Sequence, residues 1–172
     1  MRKYLVISSF LAALDQAVKL VILERYQGIP TVIIPGIIRF DPVQNENLNW
    51  IASMANIKMP VYAMIAIQVL LAFVLIVFFS YQRFTSPDNH RLISIGFCAA
   101  FSGILCSFID VVFWGGSLDY IGFLNWFVFD MKDMFLHIGS IFIVIWLNSC
   151  AYKDKSKEGV TFTTWLKSRL RK

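Results

Sequence analysis

Asp119, Asp130 and Asp133 are three carboxylates inside "SLDYIGFLNWFVFDMKDMFLHIG", residues 117–139, a stretch that is otherwise aromatic and apolar. Asp110 lies nine residues before Asp119. Carboxylates held close together in a partly dry site cannot all ionise, so one is expected to keep its proton near neutral pH. A protonated acid beside an ionised one is equipped for peptide hydrolysis: the base activates water and the acid polarises a carbonyl. Acids in a connecting loop are also commonly just solvated, and the spacing alone leaves both readings open. Asp15 and Lys19, at i and i+4, share a helix face and can pair, either as a buried structural pair or as support for the acids. His137 falls one turn after Asp133, within reach of that carboxylate or of a neighbouring helix. There is no Cys/His cluster with metal-ligand spacing and no Gly-rich phosphate loop, so neither a metal nor a nucleotide cofactor is expected.

The elements that must position these groups are membrane spans. Of 172 residues, 58% are hydrophobic, 16% aromatic and 16% charged, with a mean hydropathy of +0.64; a soluble domain carries about 25% charged residues. The apolar residues form blocks that can cross a bilayer core, which takes about 20 helical residues. Spans are predicted over about 4–23, 60–79, 92–110 and 133–150. The opening "MRKYLVISSFLAAL" also has the look of a signal peptide, but apolar character resumes past Lys19 in "LVIL" and no Ala-x-Ala site follows, which favours a retained span.

Four spans put both termini on one side. Of the 16 Lys and Arg, 11 lie before span one, between spans two and three, or after span four, which makes those segments cytoplasmic by the positive-inside rule. The acids then lie at the outer face, where Trp114, Tyr120, Trp126, Phe127 and Phe129 suit a membrane interface. The net charge of +5 therefore implies no nucleic-acid partner. The tail 153–172 is basic and is expected either on anionic headgroups, anchored by Trp165, or in solvent. Residues 1–152 read as one integral domain. The long outer segment after span one, β-branched and broken by Gly28, Pro30, Pro35 and Gly36, predicts a small platform of strands and turns. "IASMANIKMP" fits a short amphipathic helix, and His90, in a polar connector, is expected to be solvated. Cys98 and Cys106, about 12 Å apart along one helix, are too far apart to bridge, and all three cysteines read as packing residues.

The motifs together resemble lipoprotein signal peptidase, the bacterial signal peptidase II family, from "LDQAVK" at Leu14 through Gly139. Asp15, Gln16 and Lys19 match the family's Asp-Gln-x-x-Lys. "VIIPGIIRFDPVQNENLNW" is similar to the family segment running from an Ile-Pro-Gly turn to Asn-x-Gly-x-x-Phe, with Asn45 in the Asn position. "GILCSFIDV" stands for Gly-x-x-Gly-Asn-x-x-Asp-Arg, "GGSLDY" for Gly-x-Val-x-Asp-Phe, and "FDMKDMFLHIG" for Phe-Asn-x-Ala-Asp-x-x-x-x-x-Gly. The resemblance implies an all-α four-span membrane bundle with a small outer β platform between spans one and two. It implies that Asp119 and Asp133 are the catalytic acids, and that Asp15, Lys19, Asn45, Ser107, Asp110 and Asp130 support the site or hold substrate. The implied partners are prolipoproteins whose lipobox cysteine carries diacylglyceryl, cut just before that cysteine by a monomer in the bacterial inner membrane.

The chain departs from the family pattern at several positions. Ser107 replaces an Asn, Val111 an Arg, Asn47 a Gly, Asp130 an Asn and Lys132 an Ala, and the loop between Asp119 and Asp133 is shorter than usual. A catalytically impaired relative that binds lipoprotein or lipid on the same scaffold is therefore the alternative reading. A small proton-coupled transporter is disfavoured, because spans two to four carry no acid near mid-depth.

Overall fold

The computed structural model describes residues 1–45, 60–85, 90–124, 126–153 and 162–170. The expected helix within 46–59, Asn47, and the side chains of His90 and Cys150 lie outside the described residues. Four helices are long and apolar enough to cross a membrane. These are α1 (Arg2–Arg25), α2 (Val61–Thr85), α3 (His90–Ile109) and α4 (Met131–Lys153), with α3 continued by a π-helical turn, Asp110–Trp114. A fifth helix, α5 (Phe162–Leu170), follows in the basic tail.

α1 shows how such a sequence packs in lipid. Its buried residues are Tyr4, Ser8, Ala12, Asp15, Lys19 and Ile22, a stripe of three- and four-residue steps along one face. Most of them are small or polar. Val6, Ile7, Phe10, Leu14, Leu20 and Val21 are exposed, as an apolar outer surface requires when the solvent is hydrocarbon. α3 is the most buried of the spans, with α1, α2 and α4 packed against it. Near the N-terminal end, Phe79, Ile93, Phe97 and Trp146 form the core with Tyr4, and the Phe79 and Phe97 rings stack at 4.2 Å. α3 and α4 approach closely at glycines: a Cβ on Gly139 would lie 2.5–2.7 Å from the backbone and Cβ of Ala100.

The opposite end of the bundle carries a four-stranded antiparallel sheet, β1 (Thr31–Ile34), β2 (Ile38–Asn45), β3 (Ser117–Phe123) and β4 (Phe127–Phe129), in that order. The expected platform after span one forms, but it supplies only half of the sheet; β3 and β4 come from the segment between spans three and four. β1 and β2 are joined through Pro35 and Gly36, with the Ile37 N–H donating to the Ile34 carbonyl at 3.0 Å and Gly36 at φ +74°. Pro then Gly at the central positions is the chemistry of a type II turn. A β-bulge between Phe40 and Val43 accommodates Pro42, which has no N–H for the ladder, and resets the register so that Asn45 pairs with Ser117. The sheet rests on α1 through Ile22, Leu118 and Tyr120.

Trp165 is buried, its ring edge-on to Tyr81 of α2 and beside Phe162. The reading of the tail left it on headgroups or in solvent; here an aromatic edge-to-face contact gives the ring a protein partner.

Candidate active site

Five carboxylates and two ammonium groups meet where the sheet joins the helices. Lys19 of α1 reaches across the bundle: its Nζ lies 3.1 Å from Asp15, 2.6 Å from Asp110 and 2.6 Å from Asp130. All four side chains are at most 2% exposed. The expected Asp15–Lys19 pair is present, and it forms one corner of a larger network. Gln16 extends it, its amide donating to Asp15 at 3.1 Å and to Asp110 at 2.9 Å. Asp110 opens the π-helical turn, an irregularity that is frequent at functional sites, and Gly115 closes that turn at φ +63°. The chain then enters β3, so Asp119 sits on a strand, where a connecting loop was expected.

β3 alternates side chains across its two faces, which puts Ser117 and Asp119 on the same one. The Ser117 hydroxyl donates to Asp119 at 2.8 Å, with Asp110 and Asp130 at 3.2 and 3.3 Å from the same oxygen. Asn45, brought alongside by the bulged register, donates its amide to the other Asp119 oxygen at 3.0 Å. Gly116 allows this approach, since a Cβ there would lie 2.8 Å from the Asn45 carbonyl oxygen.

Asp130 and Asp133 form a reciprocal cap at the start of α4. The Asp133 N–H donates to the Asp130 carboxylate at 3.2 Å, and the Asp130 N–H donates to the Asp133 carboxylate at 3.3 Å. This satisfies donors that a helix N-terminus leaves open and fixes both acids to the first turn of α4. Lys132, between them, turns inward. Its Nζ is 2.7 Å from Ser117 Oγ, 2.9 Å from Asp130, 3.3 Å from Asp119 and 3.5 Å from Asp133. Asp130, fully buried, thus bridges the two lysines. Burial pushes its carboxyl up, but Lys132 and Lys19 outweigh that and hold it below the usual carboxylate range. Burial pushes the neighbouring Tyr120 phenol up to about 12, so it remains a neutral wall.

Carboxylate oxygens of Asp119, Asp130 and Asp133 lie within 4.8 Å of one another, close enough to hold a metal ion. The Lys132 ammonium occupies the cationic position among them. Two inward lysines thus share the site with these carboxylates.

Most of the residues singled out in the sequence converge here, namely Asp15, Lys19, Asn45, Asp110, Asp119, Asp130 and Asp133. Ser107 does not join them directly. Its hydroxyl accepts from the Gln68 amide of α2 at 2.8 Å, one turn below Asp110. His137 is exposed and its ring meets the Asp133 backbone carbonyl at 2.7 Å, so among the described residues it pairs neither with the carboxylate nor with another helix. Ser117 was missed in the sequence. Its signal was the two-residue spacing to Asp119, meaningful only once that stretch is a strand. Asp133 is the open edge of the cluster, with a side chain 32% exposed against 7% for Asp119.

Residues 7–149 match the family described as signal peptidase (SPase) II. The chain belongs to the signal peptidase II family. The lipoprotein signal peptidase of Lactobacillus gasseri is 26% identical over 154 residues, covering 88% of this chain and 95% of that one. That of Lactobacillus johnsonii is 25% identical over the same shares. Two solved bacterial membrane enzymes share the fold: one has a TM-score of 0.73 at 22% identity, covering 94% of this chain and 96% of its own. The other has a TM-score of 0.68 at 21% identity over 91% and 96%. This member of the signal peptidase II family is thus a multi-pass membrane protein built as a four-helix bundle with a small sheet. Two of its departures from the pattern, Asp130 and Lys132, are buried at the centre of the cluster, and they pair with each other at 2.9 Å.

Proposed function

We propose that the chain is an aspartic endopeptidase that removes signal peptides from diacylglyceryl-modified prolipoproteins, cutting before the lipidated cysteine. The observation that carries this reading is the approach of Asp119 and Asp133 within 4.8 Å, with Asp133 accessible and Asp119 held on both oxygens. An accessible carboxylate can take a proton from water, and the water oxygen then attacks the scissile carbonyl carbon. A hydrogen-bond donor facing that base must polarise the carbonyl and stabilise the oxyanion. Asp15, Lys19, Asp110 and Asp130 support this arrangement by fixing α1, the π-helical turn and α4 against one another. Asn45 orients Asp119, and Ser107 acts one turn deeper with Gln68.

The placement suits a lipid-anchored substrate. Acyl chains left in the bilayer hold the peptide bond at the interface, so membrane lipid and enzyme together convert the encounter into a positioned, nearly unimolecular step. In the orientation that the basic residues favour, both termini are cytoplasmic and the cluster lies at the outer face of the bacterial inner membrane, with a monomer sufficient for the site. The second reading, a binding relative without turnover, is favoured by one observation: Lys132 stands between the two acids.

Purified protein in lipid, given a diacylglyceryl-modified prolipoprotein, should cut it, and Asp119→Asn and Asp133→Asn should each cut at least about a hundredfold more slowly. Retained substrate binding without cleavage by wild type would support the binding relative instead.

A further inference from the structure

We propose that Lys132 is a catalytic residue: its ammonium is the electrophile that binds the scissile carbonyl oxygen, in place of a protonated aspartic acid. This rests on the peptidase reading above.

An ammonium has three donors. Two short contacts, 2.7 Å to Ser117 Oγ and 2.9 Å to Asp130, anchor this one. Its third donor goes to Asp119 at 3.3 Å, with Asp133 at 3.5 Å, so the most weakly held of the three faces the gap between those two carboxylates and can turn to a carbonyl there. That gap is where a carbonyl must sit if Asp133 is to deliver water to its carbon. Ser117, having accepted from Lys132, donates to Asp119, which fixes the whole relay.

The groups around Lys132 come from every neighbouring element. β3 brings Ser117 and Asp119, and the α4 cap brings Asp130 and Asp133. α1 brings Lys19 and Asp15, and the π-helical turn brings Asp110; these act through Asp130 and Ser117. β2 brings neutral Asn45 onto Asp119. α3 packs on the Lys132 backbone at Gly103 and carries no charge from Leu92 to Ile109.

The step balances. A water O–H bond breaks, its proton goes to the Asp133 carboxylate, and the water oxygen bonds to the carbonyl carbon. The carbonyl π pair moves to oxygen, where Lys132 N–H donates to the oxyanion without losing its proton. Collapse re-forms the C=O bond and breaks the C–N bond, and the leaving amine takes the proton from Asp133. Products are a carboxyl-ended signal peptide and a lipidated cysteine with a free amino group.

A lysine ammonium ordinarily titrates near 10.4, whereas a carboxylic acid serving as donor is lost as pH rises. The shape of the pH profile therefore separates the two electrophiles. The test uses the full chain in lipid, a diacylglyceryl lipopeptide of known sequence, and kcat and KM from pH 5 to 9. Lys132→Ala alone removes one of the two cations on Asp130, and folding can fail for that reason. Asp130→Asn/Lys132→Ala removes one charge of each sign and keeps the balance.

Wild type should hold its kcat up to about pH 9. The double variant should lose about a hundredfold in kcat at pH 8.5, with KM within about threefold, and the deficit should shrink toward pH 6. A double variant inactive at every pH that still binds lipopeptide also places Lys132 in the chemical step when Asp130→Asn alone still cuts; an Asp130→Asn variant as inactive as the double overturns the assignment. Identical profiles for the two proteins overturn the assignment, as does faster cutting by the variant, which would make Lys132 an obstruction. If wild type does not cut, or if Asp119→Asn and Asp133→Asn cut as well as it does, the peptidase reading fails and takes this inference with it.

Discussion

Lys19 holds three carboxylates from three parts of the chain, Asp15 on its own helix, Asp110 on the π-helical turn and Asp130 at the cap of α4. No side chain among the four is more than 2% exposed, so water cannot take over if the lysine is removed. Breaking a buried ion pair on one side costs about 3–5 kcal/mol because the remaining charge is left uncompensated. Lys19→Met should therefore lower thermal stability in detergent markedly, and Lys19→Met/Asp15→Asn should recover part of the loss. An unchanged melting temperature for Lys19→Met would mean that the carboxylates do not depend on this cation. The sequence exposed much of this network, since an i,i+4 Asp–Lys pair and acids near helix ends are local patterns. It hid the cross-bundle contacts of Lys19 and the inward turn of Lys132, because both depend on which helices meet, and no spacing encodes that.

Elements were legible in proportion to how simply they meet their surroundings. The spans showed as long apolar runs because each must satisfy its backbone internally and face hydrocarbon. β1 and β2 were signalled by β-branched residues around a Pro-Gly turn. β3 was not, because Ser117 to Tyr120 are all buried: one face meets Ile22 of α1 and the other holds the acids. A strand buried on both faces loses the polar–apolar alternation that reveals a surface strand. α4 begins two residues before the expected 133 because Asp130 caps it. What fixes α4 against α3 is close backbone approach at Gly139, and Ala100 backbone atoms would be 2.5 and 2.7 Å from an added Cβ. Gly139→Ala must push the helices apart, with an expected loss of about 1–3 kcal/mol. Because Gly139 is six residues, about 9 Å, from Asp133 along the same helix, proteolytic activity should fall as well. Full stability and activity in Gly139→Ala would show that the contact relaxes freely.

At the scale of the molecule, the buried charged side chains among the described residues gather at one end. The ion cluster and the sheet lie at the end of α1 away from Met1, with Lys19 six residues, about 9 Å, from the helix terminus at Arg25. Trp126 and Phe113 are exposed at that end, and aromatic side chains of this kind suit a membrane interface. Lys3 and Arg83 lie at the opposite end, over the Tyr4 ring of the Tyr4–Phe79 core. Positive charge resists translocation, so the proposed orientation puts that end in the cytoplasm and turns the cluster outward, toward the lipid-anchored precursor proposed as substrate. Cysteine labelling tests this directly. In a background with the three native cysteines replaced by serine, Leu124→Cys, on the exposed turn between β3 and β4, should react with a membrane-impermeant maleimide on intact cells. Arg2→Cys should react only after the membrane is permeabilised. The reverse pattern would put the carboxylates on the cytoplasmic side, out of reach of an exported substrate, and the fold would then have to serve a different purpose.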